Sequence, residues 1–268
     1  MADHSPKSKR WRLQIRLSTI LILMIVLAVI LAIVRIPIVN TMREQAWENH
    51  LRQLGLAMLH YEDKYKSLPP AYTCDSSGRR MHSWRALLLE FLPGETAAEL
   101  RREYDFVQPW DSPHNLRVSK KMPALYGCPY PRDWNSTITK FMVIVGPETP
   151  FEGERPITLG EIYDGTSNVI MIVEVANSRT HWTDPNDLSF DRVSEKISTV
   201  DNGQAITGHR AGGAYVIMCD SYSVFVKESV DEMVLRNAMQ KDKSDLANFV
   251  PPDWWYEEYP EWAARQGH

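Results

Sequence analysis

The chain has 268 residues, 30 of them basic and 34 acidic, for a formal charge of −4. The charge is unevenly placed. Five basic residues and one acidic residue precede an apolar stretch, which leaves 25 basic against 33 acidic residues beyond it, a balance of −8. That balance excludes the broadly basic surface with which proteins hold nucleic acid or anionic lipid over most of the chain.

The apolar stretch runs from Leu17 to Val34, 18 residues without a charge and rich in Leu, Ile and Val. As a helix it rises about 27 Å, close to the thickness of bilayer hydrocarbon. Lys7, Lys9, Arg10, Arg12 and Arg16 precede it, and Arg35 alone follows it directly. Positive charge stays on the cytoplasmic side, so residues 1–16 are expected inside, 17–34 in the membrane and 35–268 outside. The small-x-small site of a cleaved signal peptide does not occur near 28–34, which makes the stretch an uncleaved anchor. The lipid bilayer is therefore the first expected partner, and nucleic acid is not one.

Helical spacing continues past the anchor. Val39, Met42, Ala46, His50, Leu54, Met58, Tyr61 and Tyr65 recur at three- and four-residue steps, while Arg43, Glu44, Glu48, Arg52, Glu62 and Lys64 take other faces. Residues 35–66 thus read as an amphipathic extension of the same helix, stopped by Leu68-Pro69-Pro70. Residues 67–244 form the main domain, and 245–268 an aromatic tail with Trp254, Trp255, Tyr256, Tyr259 and Trp262.

Within the domain, Asp75-Ser76-Ser77-Gly78 is a turn signal. Ser83 is placed to cap a helix from Trp84 to Phe91, and a second helix is expected from Glu95 to Tyr104. Residues 106–131 read as a long ordered loop. Strands are expected at Phe141–Val145, Ile157–Ile162, Val169–Val175, Tyr215–Met218 and Ser223–Val226, from their apolar and β-branched character. The unbroken apolar run Val169 to Val173 suits a central strand covered on both faces. The polar stretch 179–208 reads as an excursion, and Ser229 with Glu232 as a capping box opening a helix to about Lys241.

The three cysteines, Cys74, Cys128 and Cys219, allow one bridge in three ways. Cys74 with Cys128 is the preferred disulfide, because Cys219 falls inside an apolar strand pattern and is expected as a buried free thiol. Zinc spacing is absent.

Two groups of residues carry what chemistry there is. Trp110, Asp111, His114 and Asn115 set an aromatic beside hydrogen-bonding side chains in a loop, and His209, with His82, offers imidazole to the same pocket, a candidate ligand site. Asp164, Thr166, Asn168 and Glu174 offer oxygens to a hard cation such as Ca2+, although an Asp-Gly turn bonding its own backbone explains the first three equally well. The chain has no G-x-S-x-G elbow, no H-E-x-x-H and no phosphate loop. An enzyme is not expected.

Several segments in order, residues 50–72, 81–92, 109–115, 122–130, 163–176 and 208–221, resemble the bacterial envelope family known as domain of unknown function 1559. That family is also labelled solute-binding-like and is related at its N-terminus to type IV pilins and type II secretion pseudopilins. The resemblance implies an α+β, pilin-like fold: a long N-terminal helix, with a transmembrane half and an amphipathic half, packed on an antiparallel β-sheet. It also implies a bacterial inner-membrane location, and self-association or contact with other pilin-like subunits through the helix. The function implied is that of a pseudopilin-like structural or assembly protein, with a tethered solute- or glycan-binding module as the alternative.

The chain departs from that pattern twice. The leader Gly and fifth-position Glu of pilins are missing, Arg16 standing before Leu17 and no Glu occurring in the span, so prepilin processing is not implied. The family's His, nine residues, then Asp-Gly becomes His209, ten residues, then Asp220-Ser221. Serine in place of glycine is expected to change the turn's geometry.

Overall fold

A computed structural model describes residues 17–127, 136–197 and 204–242, with side chains throughout except at 17–19, 32–34 and 36–44. The expected tail, 245–268, and the basic segment, 1–16, lie outside the described residues. Helix α1 (Leu17–Tyr65) belongs to two compact units, one ending at Gln45 and one beginning at Ala46.

In the first unit the described side chains of 20–31 are all exposed. Among the described residues no helix is long and apolar enough to cross a membrane. The twelve residues 20–31 rise only about 18 Å.

The second unit mixes helix with sheet, as expected. Its main sheet has four antiparallel strands in the order β3 (Phe141–Met142), β5 (Ile170–Glu174), β7 (Gly213–Met218) and β8 (Ser223–Lys227). Every residue of β5 and β7 is buried, so the central strands are covered on both faces. Alternation assigns the faces. Ile172, Tyr215, Ile217 and Phe225 share one core with Trp47, Leu51, Leu54 and Met58 of α1. Val173, Ala214, Val216, Met218, Val224 and Val226 join the other, under Leu235 and Ala238 of α5 (Glu232–Ala238) and the excursion residues Leu188, Phe190 and Ile206. A bulge between Ile170 and Ile172 puts Met171 on the α1 side together with Ile172.

Two smaller sheets flank this one. The hairpin of β1 (Tyr72–Cys74) and β2 (Arg80–Ser83) turns at the Asp75-Ser-Ser-Gly signal, where the Asp75 carboxylate accepts from the N–H groups of Ser77 and Arg79. β4 (Ile144–Val145) pairs in parallel with β6 (Leu188–Ser189) inside the excursion.

Several local expectations are corrected. Helix α2 (Trp84–Leu87) follows Ser83, but the Ser83 hydroxyl donates to the Trp182 carbonyl and caps nothing. Helix α3 is Glu95–Glu103. The 106–131 loop contains a helix, α4 (Pro113–Val118), with Pro at its start and the Ser112 hydroxyl accepting from Asn115 N–H. Residues 157–162 form no strand; a 3-10 turn, Leu159–Glu161, stands there instead, because Thr158 and Glu161 close a capping box across it. The cap of α5 is Asp231, whose carboxylate accepts from the N–H groups of Met233 and Val234, so the cap lies two residues beyond Ser229 and the helix opens at Glu232. The serine of the β7–β8 turn does not change the geometry that glycine would supply: Ser221 itself stands at φ 72°.

Candidate functional site

Glu174 and Asn115 are the two fully buried residues among the expected site residues. Glu174 ends β5 and points to the α1 side of the sheet. Its Oε1 accepts from the backbone N–H of His209 at 2.8 Å and meets His209 Nδ1 at 2.7 Å, and its Oε2 accepts from Tyr215 N–H at 2.8 Å. A carboxylate beside an imidazole places the ring proton on Nδ1. One side chain thereby joins both ends of the Gly208–Tyr215 loop. The loop is narrow enough to need glycine, since a Cβ on Gly208 would lie 1.9 Å from the Gly213 carbonyl oxygen. Trp47 of α1 completes the arrangement, its ring 5.2 Å from that of His209 and stacked at 5.3 Å on Phe141.

The remaining cation candidates stand elsewhere. Asp164, Thr166 and Asn168 form the turn before β5, with Gly165 at φ 89° and Asn168 Nδ2 donating to the Asp164 carbonyl. Glu174 is six residues further along, about 20 Å at strand rise. The four oxygens therefore do not converge, and among the described residues no group of three His, Cys, Asp or Glu is placed to hold a metal ion. The turn's other task is structural: the Thr166 carbonyl accepts from Asp220 N–H, tying the turn to the β7–β8 hairpin.

The Trp110 loop is held together from within. Asn115 is fully buried; its Oδ1 accepts from Asp105 N–H, and its Nδ2 donates to the carbonyls of Asp105, Gln108 and Pro109. Both Asp111 carboxylate oxygens accept from Arg79 Nη2, at 2.8 and 2.9 Å. Trp110 stacks on His181. His114 donates through Nε2 to the Glu103 carbonyl at 2.8 Å, while its Nδ1 faces Arg117 Nη2. His82 is engaged separately. Its Nε2 can only donate to the Phe106 carbonyl, so Nδ1 accepts from the Tyr104 hydroxyl at 3.0 Å, and burial lowers the pKa of the ring. His209, beside Glu174, takes its place in a different polar group from Trp110, Asp111, His114 and Asn115.

Cys74 and Cys219 are free thiols, Cys219 buried and its pKa pushed well up by that burial. Cys128, the preferred partner of Cys74, lies outside the described residues.

Sequence reading overlooked the most completely satisfied polar centre. Arg85 in α2 is fully buried and uses all five of its N–H groups, on the carbonyls of Trp182, Phe141 and Asp184 and on both oxygens of Asp187. Asp187, whose side chain is also fully buried, further accepts from Val143 N–H and the Trp84 indole. The one signal was a lone cation inside the apolar run Trp84 to Leu89. The centre fixes the 182–188 excursion against α2 and β3; it has no free group with which to act on a ligand.

No curated protein and no solved structure matches the chain. A family model described as protein of unknown function (DUF1559) matches residues 41–196, which takes in α1 from its second half, the Arg85 centre, the Trp110 loop and Glu174. The chain belongs to the DUF1559 family.

Proposed function

We propose that this protein is a membrane-anchored structural component of the bacterial cell envelope, built on a pilin-like plan and working by helix–helix and domain–domain contact. The carrying observation is the surface of α1 from Ile20 to Leu31. Eleven large apolar side chains there are exposed on every face, from 44% at Ile20 to 63% at Met24. Water disfavours such a surface by about 25 cal/mol per Å2, and lipid or another apolar helix relieves it. The uncharged run extends to 18 residues in the sequence, with basic residues crowded on its N-terminal side. Packing of residues 47–58 of α1 on an antiparallel sheet is what the pilin-like plan requires of the helix's outer half. Residues 17–34 are then left to the bilayer and to the same segment of neighbouring subunits. The centres at Glu174 and Arg85 act as struts that hold the domain.

The test is fractionation followed by crosslinking. After alkaline washing the full chain is expected in the membrane pellet, and a chain lacking 17–34 in the supernatant. Single cysteines placed along 20–31 in a Cys74→Ser, Cys128→Ser, Cys219→Ala background should give crosslinked ladders in membranes. Recovery of the intact chain in the soluble fraction would overturn the anchor, and crosslinks no more frequent than random collision would overturn the assembly.

A further inference from the structure

Helices α3 and α4 enclose a cavity of about 310 Å3, at the lower end of the range for small-molecule sites (about 300–1,000 Å3). Its lining comes from Glu99, Leu100 and Glu103 of α3 and from Arg117, Val118, Lys120 and Lys121 at and after the end of α4. Two contacts join the two sides: Lys121 Nζ meets Glu99 Oε2 at 3.0 Å, and His114 Nε2 donates to the Glu103 carbonyl. The trough that remains has an apolar pair, Leu100 and Val118, with an acidic wall on α3 and a basic wall opposite.

Lys121 pairs directly with Glu99 and also feels the charge of Glu103, but the Glu103 carboxylate is in no direct ion pair among the described residues. Neither is Lys120, and among the described residues the one hydrogen-bonding contact of the Arg117 guanidinium is the imidazole of His114. Charges of opposite sign that are not in direct ion pairs, Glu103 on one wall and Arg117 and Lys120 on the other, therefore flank an apolar pair.

A ligand that satisfies all three features carries an ammonium, a carboxylate and an aliphatic group close together. We propose that the α3–α4 trough binds a free aliphatic α-amino acid. The ammonium lies on Glu103, the carboxylate on Arg117 and Lys120, and the side chain on Leu100 and Val118. Buried Asn115 holds α4 to the 105–109 loop and so fixes the basic wall. Affinity is millimolar, on the order of 1 mM, because the charged walls are open to solvent and screened.

Leucine titrated calorimetrically into the full-length protein in nanodiscs tests this. Saturable binding is expected, at least tenfold weaker in Glu103→Gln and in Arg117→Gln. Leucinamide, which lacks the carboxylate, and 4-methylpentanoate, which lacks the ammonium, should also bind at least tenfold more weakly than leucine. Both substituted side chains are exposed, so the variants should keep the parent Tm; if either does not, Lys120→Gln replaces it with the same expectation. Absence of saturation by leucine across the millimolar range would overturn the proposal. So would affinity unchanged by the substitutions, or 4-methylpentanoate binding as well as leucine.

Discussion

Three residues show how much of this domain rests on single buried or strained groups. Removing the Glu174 carboxylate takes away the acceptor to which the backbone N–H groups of His209 and Tyr215 donate. Glu174→Ala is expected to cost about 3–5 kcal/mol, read as a lowered urea midpoint, and Glu174→Gln roughly half as much. At the Arg85 centre, Arg85→Met strands the Asp187 carboxylate and should cost about 3–5 kcal/mol. Adding Asp187→Leu recovers only part of that loss, because Val143 N–H and the Trp84 indole lose their acceptor as well. Ser221 argues the other way. A non-glycine residue at φ 72° is strained by about 1–2 kcal/mol, so Ser221→Gly should raise the urea midpoint by an amount equivalent to about 1 kcal/mol.

At the scale of elements, the second half of α1 is defined by what it approaches. Gly55 faces the β7–β8 turn so closely that a Cβ there would lie 2.9 Å from both the Cβ and the carbonyl oxygen of Ser221. Gly55→Ala must push the helix off the turn or deform it, at about 1–3 kcal/mol. Combining it with Ser221→Gly removes the Cβ contact and leaves the carbonyl one, so the double variant should recover part of the loss; equilibrium unfolding of the four proteins gives the coupling. Leu54, fully buried one residue earlier, is a cavity site, and Leu54→Ala should cost about 3–5 kcal/mol by the same measurement.

For the whole molecule, one buried and two half-buried histidines shape the response to mild acid. His50, His82 and His181 each have a pKa lowered first of all by burial, so each stays neutral in the fold at pH values where the unfolded chain takes up a proton. Lowered pKa values in the folded state mean that stability is complete above the unfolded value of about 6.5. It falls as pH drops below that value towards the folded ones. Urea midpoints should therefore be flat from pH 8 to 7 and decline from pH 6.5 to 5. A His82→Leu variant is expected to be less stable at pH 7.5 but to lose less than the parent protein on acidification.

What the sequence determined by itself was local: the uncharged run at 17–34, the apolar, β-branched runs of β5, β7 and β8, the Asp75 turn and the proline stop after α1. Each follows from neighbours a few residues apart, through composition, turn chemistry or charge. The 3-10 turn at 159–161 was legible in the same way, in the Thr158 and Glu161 pair, but the apolar character of Ile157 and Ile162 outweighed it. The sites were not legible. Glu174 meets His209 across 35 residues and Arg85 meets Asp187 across 102, and both pairings depend on burial and strand order. Candidate residues that looked like one pocket, Asp111, His114 and His209, were divided between a self-bonded loop and the end of β5. The tertiary structure decided this because a polar side chain must satisfy its hydrogen bonds with whatever the fold brings beside it, and sequence spacing does not fix those neighbours.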